Sequence, residues 1–231
     1  MNKSISIASV VPAAGVGARM GLNHPKQYIN INGKTVLEHT LSKLASVSLI
    51  EHIYVAVSES DEYFGELDLK HFALSRVKGG KERADSVLNA LKAMSDNPPK
   101  WVLVHDAARP LVDVEDIEKL IAQCLASNEG GILASKVKDT IKRGSLYSEE
   151  TVPRDMLWQA LTPQMFIYEE LLSALDIGLS TGATITDEAS AMELQGKPVK
   201  LVEGRSDNIK ITTPEDHALA CFLMSQQKKS S

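Results

Sequence analysis

Several features that would announce a function class are missing from this 231-residue chain. There are two cysteines, Cys124 and Cys221, far apart and without metal-ligand spacing. That excludes a disulfide framework and fits buried free thiols in a reducing compartment. There is no basic surplus: 25 Lys and Arg against 30 Asp and Glu leave a net charge of −5. This argues against a general nucleic-acid binder, though not against a local basic pocket. No run approaches the about 20 apolar residues that cross a bilayer. The N-terminal S-I-S-I-A-S-V-V-P-A-A resembles a signal peptide only in outline, because its apolar part is short, broken by serines and continuous with a glycine loop. It reads as a first strand, and the expected location is cytoplasmic, or an organelle if a transit sequence has been lost. The six histidines lack the spacing of a metal site, and no serine sits in a G-x-S-x-G elbow. Internal repeats and low-complexity segments are absent too.

What is present is ordinary in amount and unusual in arrangement. With 43% hydrophobic and 24% charged residues the composition is that of a globular protein. The length suits one large domain or two small ones. The organising stretch is Val10–Tyr28, V-V-P-A-A-G-V-G-A-R-M-G-L-N-H-P-K-Q-Y. Ala13, Ala14, Gly15 and Gly17 let the backbone approach a ligand and offer bare N–H donors. Arg19 and Lys26 add two positive charges, so the natural occupant is a polyphosphate. Two common motifs fail on counting. A dinucleotide fingerprint has its third glycine where this chain has Met20, and a Walker A loop ending at Gly33-Lys34-Thr35 needs a glycine where Tyr28 stands.

Beyond the loop, strand-like and helix-like segments alternate. The strands expected are Ser4–Pro12, His52–Val57, Leu74–Val77, Trp101–Val104, Gly131–Val137, Val199–Val202 and Asn208–Ile211. The helices expected are Thr35–Val47, a short acidic one at Glu59–Leu67, one capped by Asp85 or Ser86, Asp113–Ser127, Tyr168–Leu179, Thr186–Leu194 and a last one opened by Thr213-Pro214-Glu215-Asp216. This order predicts an α/β fold: a mostly parallel, doubly wound sheet with helices on both faces. Ligands in such sheets bind beyond the carboxyl ends of the strands, which places the glycine loop and Asp106 at one edge. Lys138–Trp158 breaks the pattern. Its alternation suggests an extended hairpin, too long for an ordinary connection, pointing either to a mobile loop or to a functional or subunit-contact arm.

Asp106, in H-D-A-A-R-P, and Asp207, in E-G-R-S-D-N-I-K, each have a plain reading as turn or cap residues. Taken together they offer two hard oxygen ligands suited to Mg²⁺. Ser86 reads as a helix cap within reach of a nucleobase. Asp187 and Glu188 read as first-turn acids after an N-cap at Thr186, and His105 as a partner for the backbone.

The set P-A-A-G-x-G-x-R-M…P-K-Q-Y, G-G…R-x-x-S-V, V-H-D-A-A-R-P, K-D-T, T-V-P-R…L-T-P-Q, T-D-E-A-S and E-G-x-x-x-N-I-K-I-T resembles the 2-C-methyl-D-erythritol 4-phosphate cytidylyltransferases over essentially the whole chain. The resemblance implies one nucleotidyltransferase domain over residues 1–231 and a homodimer in which residues 138–158 form a protruding arm. It implies coupling of methylerythritol phosphate to CTP with Mg²⁺ and release of pyrophosphate, a step of the non-mevalonate isoprenoid pathway. Carried over motif by motif, Arg19 and Lys26 put catalytic positive charge on the triphosphate, joined by Arg154 and Lys210 as catalytic residues. Ala13, Ala14, Gly15, Gly80, Ser86, Asp106 and Ala107 line the CTP site. Asp106, Arg109, Thr140, Arg154, Thr162 and Lys210 hold the acceptor, with arm residues supplied across the dimer, and Asp106 and Asp207 face the metal.

The alternatives are a ribitol-5-phosphate cytidylyltransferase, a sugar-nucleotide pyrophosphorylase for another base, and a non-catalytic nucleotide-binding regulator. Ribitol-phosphate enzymes usually read H-D-S-V-R-P and T-D-A-C where this chain reads H-D-A-A-R-P and T-D-E-A-S. A regulator has no need of Lys26, Asp106 and Lys210 together.

Overall fold

The runs Ile7–Pro12 and Trp101–Val104 are almost wholly apolar, and only a strand covered on both faces buries such a run. In the computed structural model, which describes residues 5–15 and 24–227, they lie side by side in the middle of a sheet. Their single polar side chain, Ser9, is satisfied by donating to the Leu103 carbonyl at 3.0 Å.

The strands are β1 (Ile7–Pro12), β2 (Asn30–Ile31), β3 (Lys34–Thr35), β4 (Ile50–Val57), β5 (Leu74–Lys78), β6 (Trp101–Val104), β7 (Gly131–Lys136), β8 (Ile141–Gly144), β9 (Ser148–Val152), β10 (Trp158–Ile167) and β11 (Lys200–Glu203). The helices are α1 (Val36–Ala45), α2 (Arg83–Lys92), α3 (Val114–Ser127), α4 (Tyr168–Ser180), α5 (Glu188–Leu194) and α6 (Pro214–Gln227). Seven strands form the main sheet in the order β11-β7-β10-β6-β1-β4-β5. All run parallel except β10, which is antiparallel to both its neighbours.

Alternation along each strand divides the core. Ile7, Val11, Trp101 and Leu103 point to a layer that includes Leu37, Leu41 and Leu44 of α1 and Ile117, Leu120 and Ile121 of α3. Ala8, Val10, Val102 and Val104 point to the opposite layer, with Val87 and Leu91 of α2, Leu171 and Leu175 of α4 and Met192 of α5. Fully burying each large apolar side chain contributes about 1.5–3 kcal/mol, so both faces matter to stability. A third cluster packs Ala220 and Met224 of α6 against Ile29, Ile31 and Ile211. Helix starts follow local chemistry. Thr35 and Glu38 form a capping box at α1, and the Asp113 carboxylate accepts from the Glu115 N–H at α3.

The expected fold class is the one found, and four local expectations need correction. The ten-residue strand β10 was not anticipated, because Pro163 interrupts its pattern; the ladder to β7 is irregular between Ala160 and Gln164, which accommodates the missing N–H. Asn208–Ile211 is not a strand. Its backbone is engaged by side chains and turns instead, with Arg109 donating to the Asn208 carbonyl and Asn208 N–H bonded to Arg205. The acidic helix at Glu59–Leu67 shrinks to one 3₁₀ turn, Phe64–Glu66, because Asp61 takes up the Tyr63 and Phe64 N–H groups. Finally, α2 starts at Arg83, before Asp85 and Ser86. Residues 138–158 do carry a hairpin, β8 paired antiparallel with β9.

Candidate active site

The strand order reverses at β1. From β1 the chain moves outward to β4 and β5, then returns to place β6 on the other side. A crevice opens beyond the carboxyl ends of two strands at such a switch point. Here it is a cavity of about 330 Å³, within the range of small-molecule sites.

One wall is backbone. Ala13, Ala14 and Gly15 continue β1, and the buried Gln27 pins them by donating to the Ala13 carbonyl at 2.7 Å. Gly79 and Gly80 follow β5. A Cβ on Gly79 would meet that of Ala14 at 2.3 Å, and one on Gly80 would meet Asp85 at 2.2 Å, so only glycine lets these loops touch. Ser86 does not cap its helix. Its hydroxyl accepts from the Gly80 N–H at 2.9 Å and donates to the Glu82 carbonyl, fixing the glycine turn. Glu82 is the N-cap, and Asp85 accepts from the Glu82 N–H as the third helical residue of a capping box.

The opposite side is charged. Asp106, directly after β6, is buried among three cations: Arg83 Nε at 2.8 Å on Oδ1, with Lys210 Nζ at 2.9 Å and Arg109 Nε at 3.4 Å on Oδ2. Burial pushes its pKa up, but Arg83, Lys210 and Arg109 outweigh that and hold the carboxyl far below the usual range. Lys26 and Lys210 both line the cavity, and Lys26 Nζ donates to the Ile211 carbonyl at 2.9 Å. Thr162 is buried beneath. Its hydroxyl accepts from the Asp106 N–H and pairs with His105 Nδ1, while His105 Nε2 lies 3.1 Å from the Arg109 carbonyl. Because that carbonyl only accepts, Nε2 carries the proton and Nδ1 accepts from Thr162. His105 therefore serves the backbone, as expected.

A model of the 2-C-methyl-D-erythritol 4-phosphate cytidylyltransferases matches residues 7–226. The chain belongs to this family. A cytidylyltransferase of that name from Pseudoalteromonas translucida is 60% identical over 231 residues, covering 100% of this chain and 96% of the relative. Another from Aliivibrio fischeri is 51% identical over 98% of this chain and 97% of its own length. Among solved structures, the Francisella tularensis cytidylyltransferase superposes with a TM-score of 0.82 at 37% identity, covering 94% of this chain and 99% of that one. A 4-diphosphocytidyl-2C-methyl-D-erythritol synthase gives 0.83 at 36% identity over 95% and 98%.

Within this cytidylyltransferase-family fold, the expected residues separate into three groups. Ala13, Ala14, Gly15, Lys26, Gly80, Ser86, Asp106, Ala107 and Lys210 share the one cavity, and Arg109 and Thr162 hold Asp106 from behind. Thr140 and Arg154 stand exposed at the base of the hairpin, Arg154 donating to the Lys138 carbonyl, and neither lines the cavity. Arg19 lies outside the described residues.

The paired-carboxylate metal site is not formed. Asp207 does not line the cavity, and both its oxygens are taken by Arg205 at 3.0 and 2.5 Å. Asp106 already has a cation on each oxygen. Among the described residues no three His, Cys, Asp or Glu side chains gather as a metal site. These donors do not fit a metal held between two carboxylates. The neighbouring Arg205 is what a reading of Asp207 by itself overlooks.

Arg83 and Gln27 carry no role in the sequence reading, and Glu188 carries a different one. Arg83 is the arginine of R-x-x-S-V and Gln27 the glutamine of P-K-Q-Y. In sequence Glu188 reads as a first-turn acid after an N-cap at Thr186, but Asp187 is the N-cap and the Glu188 side chain is completely buried, bonded through both oxygens to Arg83.

Proposed function

We propose that this chain couples 2-C-methyl-D-erythritol 4-phosphate to CTP, releasing pyrophosphate and 4-diphosphocytidyl-methylerythritol. The observation that carries the reading is one cavity at the switch point, with a bare backbone wall facing Lys26 and Lys210. Membership of the family supplies the substrates. The Ala13 N–H is taken by the Ala56 carbonyl at 2.7 Å, so the backbone N–H groups of Ala14 and Gly15 are the ones that suit phosphate oxygens, and Gly80 and Ser86 suit the nucleoside.

An acceptor phosphate monoester is mostly dianionic near neutral pH, its second pKa being about 6, so it needs no general base. One of its oxygens bonds to the α-phosphorus of CTP as the bond from that phosphorus to the bridging oxygen breaks, and pyrophosphate departs with the electron pair. The obstacles are repulsion between two polyanions and the charge growing on the leaving group. Lys26, Arg19 and Lys210 answer both by placing fixed positive charge around the reacting phosphates. Arg109 and Thr162 keep Asp106 in place beside Lys210. Mg²⁺ enters this reading as an ion carried by the triphosphate oxygens, with no pair of protein carboxylates to hold it.

The hairpin belongs to the same reading. Leu146 and Tyr147 at the hairpin tip and Met156 near its base are 83%, 79% and 88% exposed, apolar side chains that suit a second copy of the chain. In that homodimer, Thr140 and Arg154 would reach the acceptor in the partner's site. No helix among the described residues is long and apolar enough to cross a membrane, and the reading places the reaction in the cytoplasm.

The test is pyrophosphate release from each of four nucleoside triphosphates, offered methylerythritol phosphate or ribitol 5-phosphate, with and without Mg²⁺. Release only with CTP and methylerythritol phosphate is expected. Preference for ribitol phosphate would replace the acceptor assignment, and no release with CTP and either acceptor would sink the enzymatic reading.

A further inference from the structure

The cavity floor contains a chain of alternating charges that reaches from the core to the cavity wall. Glu188, wholly buried at the start of α5, accepts from Arg83 Nη1 and Nη2 at 2.7 and 3.0 Å. The same guanidinium turns its Nε to Asp106 Oδ1 at 2.8 Å. Asp106 Oδ2 then holds Lys210 Nζ at 2.9 Å, and Lys210 lines the cavity. Only arginine, with a planar fork and a separate Nε–H, can bind one carboxylate end-on and another from the side.

Two features argue that this chain does more than hold the fold together. A buried ion pair adds little net stability over apolar packing, because desolvation offsets most of the attraction. The α5 start is also secured without it: Gln164 accepts from the Ala189 N–H at 2.9 Å and donates to Asp187 at 2.8 Å. Among the described residues, Arg83 is the group bonded to Asp106 Oδ1. Without Arg83, the carboxylate is held through Oδ2 alone, by Lys210 at 2.9 Å and by the longer contact to Arg109 at 3.4 Å, and can turn about its bond and take Lys210 with it. Arg83 and Ser86 also share the first turn of α2, so one helical turn braces both the anionic floor and the Gly80 wall.

We propose that Arg83, oriented by buried Glu188, is a positioning residue that fixes Asp106 and, through it, the ammonium of Lys210 against the reacting phosphates. This deepens the reading of the cavity as the cytidylyl-transfer site and rests on it. Replacing both partners, as Arg83→Met/Glu188→Met, removes the chain while orphaning neither charge of the inner pair. Its thermal midpoint should stay within a few degrees of wild type. Its kcat should fall at least about 10-fold with KM for CTP changed less than about 3-fold, the pattern of a group that acts on the transition state more than on binding. Arg83→Lys keeps the charge but cannot span both carboxylates, and should show the same split if the double variant does not fold.

A second readout does not depend on turnover. After reductive ¹³C-methylation, the Lys210 resonance, assigned with Lys210→Arg, should shift in both variants relative to wild type. Either a folded variant retaining kcat within about twofold, or an unmoved Lys210 resonance, overturns the proposal. An inactive wild type with a shifted Lys210 resonance would overturn the functional reading and leave the positioning role standing.

Discussion

His105 makes the sharpest physical forecast. It is fully buried, and burial holds its pKa down from 6.5 to about 4 against the smaller upward pull of the Arg109 carbonyl and Asp106. The imidazole is therefore neutral in the folded protein, accepting from Thr162 at Nδ1 and donating to the Arg109 carbonyl from Nε2. In the unfolded chain it takes a proton below about pH 6.5; in the folded chain it does not until about pH 4. Between those values the unfolded state binds more protons, so stability falls as the pH falls. The contribution is fully present above about pH 6.5 and is lost progressively toward about pH 4, reaching about 3 kcal/mol at about 1.4 kcal/mol per tenfold difference in proton affinity.

By about pH 5 roughly 2 kcal/mol of that should already be gone. The depressed carboxyl of Asp106 does not interfere, because its contribution begins to fall only as the pH drops through the ordinary aspartate pKa of about 4, below the interval measured. Urea unfolding followed by tryptophan fluorescence at about pH 7.5 and 5.0 measures the loss in wild type and in His105→Gln, which cannot titrate. The difference between the two proteins should change by about 2 kcal/mol across that interval. An identical pH response in both, or an imidazole resonance of His105 titrating near 6.5 in the folded protein, would refute the reasoning.

The remaining predictions concern turnover, assembly and thiols. Lys26→Ala and Arg19→Ala should lower kcat by about 10²–10³ while the thermal midpoint is retained; near-wild-type turnover in either would remove that residue from the site. Arg154→Ala should reduce kcat/KM for the acceptor and leave CTP binding alone, and an unchanged value would take it off the acceptor. Replacing Leu146, Tyr147 and Met156 with serine should yield monomers by light scattering and lose turnover with the partner's arm; a persisting dimer would place the interface elsewhere. Cys124 is fully buried, and burial pushes its thiol up to about 12. Native protein should therefore titrate at most one thiol, Cys221, against two after denaturation, and two prompt thiols in the native state would contradict the burial.

What could be read from the residues alone follows the range of the forces involved. The sheet and most helices were legible because periodic burial is a local pattern: Trp101–Val104 has no polar alternation, and α3 begins one residue after the aspartate expected to open it. β10 was hidden because Pro163 breaks that pattern within a strand whose neighbours on both sides tolerate the break. In the site, the backbone wall was legible too, since small residues and glycines state their purpose in place.

The charged floor was not, and the reason is physical. Asp106 and Asp207 look alike in sequence, each an aspartate in a short polar turn with basic residues close by. Their difference lies in which cations reach them. Asp106 meets Arg83 and Lys210 from 23 and 104 residues away in the chain, whereas Asp207 is claimed by Arg205, two residues before it. A carboxylate whose two oxygens are both taken by a local arginine is neutralised at home and contributes little to a distant site; Asp106 has Arg109 nearby only at 3.4 Å, and the closer partners that build it into the cavity arrive by tertiary folding. The same distinction separates Glu188, which resembles any acid in a first helical turn, from the helix-start acids Glu115 and Glu215, since only a guanidinium brought from 105 positions away keeps its charge in the core. Charge in this protein is therefore interpretable as chemistry only after its partner is known, and the residue that supplies that partner here, twice over, is Arg83.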